Sequence, residues 1–323
     1  MPEGHSVHRI SRQFALHFVG KKVSASSPQG RFAAGAKKLD GHTITASKAV
    51  GKQLFLEFDN GLWLRVHLGM YGAWDFAGDI TADATMASAN GRIGQTNQRG
   101  TVVGAHEDSL SSIGAPRRTR LRMAEQEKLE EPVTTFPPEP VGAVRVRLLT
   151  DATCADLRGP TACEVLRPDE VQAIVDSLGP DPIVDPEPEA EDRFVANVHK
   201  SRTPIALLLM DPSVVSGIGN VYRAELLFRA KLEPHTPGRS LSEQTVRALW
   251  RDWKKLLTIG VQTGQMMTMD DLSEEQYNAA LASRDDRHWV YHRLGKPCRL
   301  CGTLIVMETM AGRRLYYCPK DQA

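Results

Sequence analysis

Apolar residues recur along the chain with two different periods, and the change of period divides it. Val7, Ile10, Phe14 and Phe18 fall at helical spacing with basic residues between them, which predicts a helix over residues 6–18. From Lys22 to Trp74 the pattern turns to short β-rich runs broken by Gly or Asn-Gly. These runs cover residues 43–48, 53–58 and 62–67, with the Asp59-Asn60-Gly61 turn between the last two. One more run, residues 144–149, follows after a gap. Several short strands at this spacing, with helices at either end, predict a small antiparallel sandwich. Beyond residue 190 the period returns to helical, with helices expected over 192–199, 205–210, 221–230 and 242–257. The last opens on Ser242-Glu-Gln-Thr, a capping signal, and sets Val246, Leu249, Trp253 and Leu256 along one face.

Two stretches fit neither period. Residues 78–141 lack sustained alternation and are rich in Gly, Ser, Thr and Pro, which predicts a mobile insertion. Its Arg117, Arg118, Arg120 and Arg122 suit phosphate but suit a solvated surface better. Residues 179–192 carry Pro180, Pro182, Pro186 and Pro188 among acids and read as a stiff, extended linker. The expected order is therefore α+β and multidomain. A β-sandwich with flanking helices fills 1–179, a linker 180–192, a helical domain 193–290 and a β-hairpin 291–323.

Composition narrows the class. A chain of 323 residues has material for about two domains, and it holds no apolar run near the roughly 20 residues that span a bilayer. The start lacks the apolar core and basic flank of a secretory signal. Five cysteines, three of them in one cluster, argue for a reducing compartment rather than a disulfide framework. Cys154 and Cys163 have no partner spacing and read as small apolar residues. The net charge is only +1, yet residues 284–323 hold eight Lys or Arg against four Asp or Glu. A basic terminal module on a neutral chain suits local contact with phosphates.

The clustered cysteines are Cys298-Arg-Leu-Cys301 and Cys318-Pro-Lys-Asp321, separated by a strand–turn–strand pattern that carries Arg313 and Arg314. Paired turns of this kind build a tetrahedral site for one structural Zn²⁺, which would rigidify a hairpin too poor in apolar residues to fold alone. Asp321 stands where a fourth Cys is usual, so a hairpin with a weakened or absent metal site stays open. His288 and His292 are alternative ligands but read better as solvated or core residues. At the other end, removal of Met1 would leave Pro2 with a secondary α-amine that is partly neutral, and nucleophilic, near pH 7. Glu3 stands beside it for proton transfer. Gly51-Lys52 opens an alternating strand, and His67-Leu-Gly-Met70-Tyr71-Gly72 places two bulky side chains on a glycine-flanked turn. In Asp211-Pro-Ser-Val-Val-Ser-Gly217-Ile-Gly219-Asn220, one helix ends, two tight turns follow and Asn220 opens the next helix. Amides at such a helix start bind anions. No third glycine or preceding strand supports a dinucleotide fingerprint.

In this order, the motifs resemble the formamidopyrimidine-DNA glycosylase/endonuclease VIII family over nearly the whole chain outside 78–141. Pro2-Glu3-Gly4 is similar to the endonuclease VIII branch. The resemblance implies a bifunctional glycosylase/AP lyase of base excision repair. Such an enzyme removes oxidised bases, chiefly pyrimidines, through a Pro2 Schiff base and cuts the strand by β,δ-elimination. It implies Glu3 as general acid/base and Lys52 on the phosphate near the lesion. Asn220 and Arg313 would hold the flanking phosphates, with Met70 and Tyr71 filling the space the flipped base leaves. It implies zinc held by Cys298, Cys301 and Cys318, with Asp321 in the place of a fourth Cys. The partner is double-stranded DNA with oxidised bases or abasic sites. A monomer with no membrane, in the bacterial cytoplasm at the nucleoid, is expected. Specificity for 8-oxoguanine and formamidopyrimidines, or a catalytically weak damaged-DNA-binding protein, are the alternatives.

Overall fold

The computed structural model describes residues 2–81, 112–115, 136–282 and 286–323. It forms two compact units, residues 1–175 with 262–264 and residues 176–261 with 265–323.

The first unit is an antiparallel sandwich. Strands β1 (Ser24–Ser26), β2 (Ile44–Val50), β3 (Gln53–Phe58), β4 (Trp63–His67), β5 (Ala73–Gly78), β6 (Ser112–Gly114), β7 (Val144–Leu149), β8 (Thr153–Arg158) and β9 (Ala162–Leu166) form two sheets. Their orders are β1-β7-β8-β5-β6 and β2-β3-β4-β9. Leu54, Leu56, Leu64 and Val66 meet Trp74, Phe76, Leu148 and Leu157 in the core. Helix α1 (Gly4–His17) adds Val7, Ile10 and Phe14 to that core, with Phe14 edge-on to Trp74 at 4.8 Å. Helix α2 (Ala33–Leu39) follows β1. Helix α3 (Pro168–Asp176) covers the outer face of the second sheet through Val171 against Phe55 and Trp63. Both faces of β3 are thus buried, which is why its sequence reads Leu54-Phe55-Leu56 instead of alternating.

Strand β8 escapes the pattern because a charge lies within it. Asp156 is buried, and the Arg147 guanidinium grips it with two hydrogen bonds of 2.7 and 2.6 Å. Cys154 beside it is buried, and burial pushes its thiol up to about 12, as it does that of Cys163 on β9. Both therefore behave as the small apolar residues expected.

The expected insertion needs correction at two points. Gly78 ends β5, and Ser112–Gly114 form β6, with Ile113 fully buried. Arg117, Arg118, Arg120 and Arg122 lie outside the described residues.

The second unit is helical, with a terminal hairpin. It holds α4 (Glu189–His199), α5 (Ile205–Leu208), α6 (Asn220–Arg229), α7 (Glu243–Thr263), whose last residues count with the first unit, and α8 (Glu274–Ala282). Strands β10 (Val306–Met310) and β11 (Arg313–Tyr317) close the chain. Ser242 caps α7 by accepting the Thr245 N–H at 3.1 Å, and Val246, Leu249, Trp253 and Leu256 are buried. The proline-rich segment read as an extended linker is tied down at its start. Gly179 N–H donates to Pro212 O at 2.7 Å, Ser216 N–H donates to Pro180 O at 3.0 Å, and α4 begins at Glu189. No described helix is long and apolar enough to cross a membrane.

Candidate active site and metal centre

One end of the sandwich collects the chemistry of the first unit. Ser11 Oγ lies 3.1 Å from Ser47 Oγ, and Gly20 N–H donates to Ile44 O at 2.8 Å, so α1 runs antiparallel to β2. From Ser11 back to Gly4 the helix covers about 10 Å, and from Ser47 to Gly51 the strand covers about 13 Å. The start of α1 therefore lies alongside the Gly51-Lys52 turn. That turn is a two-residue hairpin loop closed by the Val50–Gln53 pair, with Gly51 at φ +57°, a value a side chain would strain. Gln53 also faces His67 across β3–β4, which brings the turn after β4 to the same end.

Pro2 is buried, and Glu3, the residue preceding α1, is fully buried. Lys52 is half-buried. His67 is held neutral, its pKa lowered by burial and then by the charges of Lys52 and Arg65. Its Nδ1 accepts the Gly69 N–H at 3.1 Å, so the proton sits on Nε2. Beyond it Met70 and Tyr71 stand out from the turn, 57% and 74% exposed. Pro2, Glu3, Lys52, Met70 and Tyr71 thus share one end of one unit.

The second unit sets Asn220 against the strand that carries Arg313. Asn220 opens α6, and its Nδ2 donates to Arg314 O at 2.7 Å. Arg223, one turn on and fully buried, donates to Asn220 Oδ1 at 2.5 Å and to Arg314 O at 3.2 Å. Strands β10 and β11 close on Ala311-Gly312, both at positive φ, and set the exposed Arg313 directly after the turn.

At the base of the hairpin, Cys298, Cys301, Cys318 and Asp321 place one donor atom each within 4.8 Å of one another. Asp321 Oδ2 lies 3.0 Å from Cys298 Sγ and 3.4 Å from Cys318 Sγ, and Cys301 Sγ lies 3.5 Å from Cys318 Sγ. Tetrahedral zinc with thiolates and one carboxylate separates its donors by about 3.5–3.8 Å. Leu300 N–H points at Cys298 Sγ and Asp321 N–H at Cys318 Sγ, each at 3.4 Å, so each turn aims a backbone amide at its first thiol. The set fits one structural zinc, with the carboxylate completing three thiolates. His288 is buried edge-on to Tyr291, and His292 stacks on Tyr291 at 4.4 Å; neither joins the cluster.

Three residues here make contacts that sequence reasoning missed: His67, Arg223 and Glu225. Arg223 is a cation in the first turn of a helix, against the dipole, which was a usable signal. Glu225 interrupts the apolar run of α6 and is fully buried, where burial pushes its pKa up. It accepts the Thr268 hydroxyl at 2.5 Å and the N–H groups of Trp289, Val290 and Tyr291 at 2.8–3.0 Å. It thereby pins both ends of the segment that contains α8.

Comparison with known proteins agrees with this architecture. The formamidopyrimidine-DNA glycosylase N-terminal domain matches residues 1–128, the H2TH domain of the same enzyme matches 178–271, and the zinc finger found in FPG and IleRS matches 295–323. Endonuclease 8 1 of Mycobacterium tuberculosis is 34% identical over 323 residues, covering 100% of both chains. The formamidopyrimidine-DNA glycosylase of Thermus thermophilus is 37% identical over 145 residues, 45% of this chain and 53% of that one. A crystal structure of the Thermus thermophilus enzyme superposes with a TM-score of 0.66 at 23% identity, covering 99% of this chain and 98% of that one. The Lactococcus lactis enzyme, solved with DNA containing an abasic site, superposes with a TM-score of 0.66 at 19% identity over 99% of both chains. These last two show the common fold. The full-length relative and the three domain matches, falling in order on the sandwich, the helical unit and the finger, show that the chain belongs to the formamidopyrimidine-DNA glycosylase/endonuclease VIII family of base-excision-repair glycosylases.

Proposed function

We propose that this chain is a bifunctional DNA glycosylase/AP lyase acting on double-stranded DNA with oxidised bases, chiefly oxidised pyrimidines, or abasic sites. The observation that carries the reading is the gathering of the α1 start, the Lys52 turn and the Met70–Tyr71 turn at one end of the sandwich. Once Met1 is removed, Pro2 presents a secondary amine that is partly neutral, and nucleophilic, near pH 7. Its lone pair attacks C1′ of the damaged nucleotide, and the bond from C1′ to the base breaks. The sugar ring opens to an iminium, with Glu3 supplying the proton that these departures require. Loss of a C2′ proton then expels the 3′ phosphate, a second elimination expels the 5′ phosphate, and water releases Pro2. Lys52, Asn220 and Arg313 hold phosphates, while Met70 and Tyr71 occupy the emptied stack. Chromosomal DNA as substrate would place the enzyme at the nucleoid.

The choice of pyrimidine lesions rests on the likeness of Pro2-Glu3-Gly4 to the endonuclease VIII branch, whose name the full-length relative carries, and a panel of single-lesion duplexes including 8-oxoguanine tests it. The test of the chemistry is borohydride trapping on abasic-site DNA. A covalent adduct that disappears in Pro2→Gly is expected. Absence of any adduct from the untagged, Met1-free protein would favour a binding protein without turnover.

A further inference from the structure

The sandwich holds a feature that this reading leaves unused: a strand contributed by the segment 78–141 lies against the Met70–Tyr71 turn. In the sheet, β5 runs between β8 and β6. Gly114 pairs with Ala73, Ile113 with Trp74 and Ser112 with Asp75, and Ala115 N–H donates to Gly72 O at 2.8 Å. The approach is close: a side chain on Gly114, which sits at φ +130°, would lie 2.5 Å from Gly72 O. On the opposite side, a Cβ on Gly159 would lie 2.8 Å from Tyr71 O. The turn is also closed on itself, with Gly72 N–H donating to Leu68 O at 3.0 Å.

Asp75 ties the two walls together. Its Oδ1 accepts the Ser112 hydroxyl at 2.6 Å, and its Oδ2 pairs with the Arg158 guanidinium from β8. Ile113 anchors β6 in the core, fully buried. At the tip of the turn, Tyr71 is the most exposed large apolar side chain among the described residues, and Met70 is nearly as exposed as Leu304, which comes second. Both stand on backbone gripped from two sides. A turn already held in one shape loses no freedom when it enters a base stack, whereas a loose one must be ordered first.

We propose that Ser112–Ala115 form a positioning brace for the Met70–Tyr71 turn, so that this part of the insertion serves extrusion of the damaged base from duplex DNA. The inference rests on the proposed stack-filling role of that turn. Its residues touch no substrate; they act through Gly72 and Asp75.

The experiment compares Gly114→Ala, Ser112→Ala and Met70→Ala with the parent protein on one lesion in duplex and in single-stranded DNA. Extrusion is followed by the fluorescence of 2-aminopurine placed beside the lesion. Gly114→Ala should lower duplex excision about tenfold and slow the fluorescence rise, while single-strand cutting stays near the parent value. Ser112→Ala, which removes only the Asp75 tether and adds no bulk, should shift the duplex-to-single-strand ratio the same way by about threefold. General damage to the fold would lower both substrates together and leave the ratio unchanged. An unchanged ratio in Ser112→Ala, alongside a lowered one in Met70→Ala, overturns the brace alone. An unchanged ratio in Met70→Ala overturns the stack-filling role and the brace with it.

Discussion

Two hairpins in this molecule each close on a two-residue turn and each carry a cation at the tip, yet they are held by different forces. In the β2–β3 hairpin, Lys52 sits in the turn and the strands are anchored by Leu54, Phe55, Leu56 and Phe58, all buried. In the β10–β11 hairpin, Arg313 follows the turn, and the two strands form a sheet with no third member among the described residues. A lone two-stranded hairpin is marginal in water. This one buries only Leu315 and Tyr316 of its strands deeply, in the core of the helical unit, and adds the cysteine–aspartate cluster, Asn220 and Arg223 through Arg314 O, and Gln322, whose Nε2 donates to Leu232 O at 3.1 Å. Apolar burial makes the first hairpin independent of metal. In the second, polar and metal contacts add to a smaller apolar anchor and make it sensitive to metal.

The largest way to separate them is to remove zinc. Structural zinc contributes about 10–16 kcal/mol of apparent binding energy in small fingers, so chelation should melt the second hairpin and leave the first intact. Hydrogen exchange should show β10–β11 losing protection while β2–β3 keeps it, and DNA affinity should fall. Elemental analysis should find about one zinc per chain. Asp321→Cys should slow its removal by chelator, because a fourth thiolate binds zinc better than a carboxylate. Equal protection of β10–β11 with and without chelator would mean that packing alone holds the finger.

Leu56→Ala attacks the first hairpin instead. Leu56 is fully buried in the sandwich core, and its truncation should cost about 2–5 kcal/mol in urea unfolding of that unit. Zinc content should not change. A loss of zinc with this substitution would show that the two hairpins are not independent.

A smaller effect probes the second turn. Ala311 sits at φ +47°, where a side chain is unfavourable, so Ala311→Gly should stabilise the finger by about 0.5–1 kcal/mol. Slower chelator-driven release of zinc would register it. Unchanged release would mean that the turn's strain is relieved elsewhere.

The smallest effect is one of pH. His235 Nδ1 lies 2.5 Å from Glu233 and its Nε2 lies 2.8 Å from Glu308 on β10. Glu233 first, then Glu308, raise its pKa above the usual imidazole range. A raised folded-state pKa contributes stability that is fully present below about pH 6.5 and is lost as pH rises through the raised value. Exchange in β10, corrected for its intrinsic pH dependence, should therefore quicken on the alkaline side. In His235→Ala that dependence should flatten, while β2–β3 shows none in either protein.

Much of this was legible in the sequence, and the reason is locality. The limits of β3 and β7, the helical face of α7 and its Ser242 cap follow from periods and signals within a dozen residues. The candidate residues were legible too, because Pro2-Glu3, Gly51-Lys52, Cys298-x-x-Cys301 and Arg313 are short motifs. Some misses had a local signal that was passed over: α3 opens on Pro168-Asp169-Glu170, a proper helix start. Others had none. Strand β6 is three residues long, and its identity as a strand comes from β5, nearly forty residues earlier.

The sequence by itself determined the bounds of β3 and β7, the apolar faces of α1 and α7, and which short motifs hold the candidate residues. Tertiary structure alone decided which polar groups are buried and what satisfies them. Asp75 joins Ser112 and Arg158, Arg147 grips Asp156, Asn220 reaches Arg314, and Glu225 gathers Thr268 with residues 289–291. Several of these partners lie tens of residues apart, so no periodicity records them. A buried polar group without a partner is costly, and only the folded chain can supply that partner.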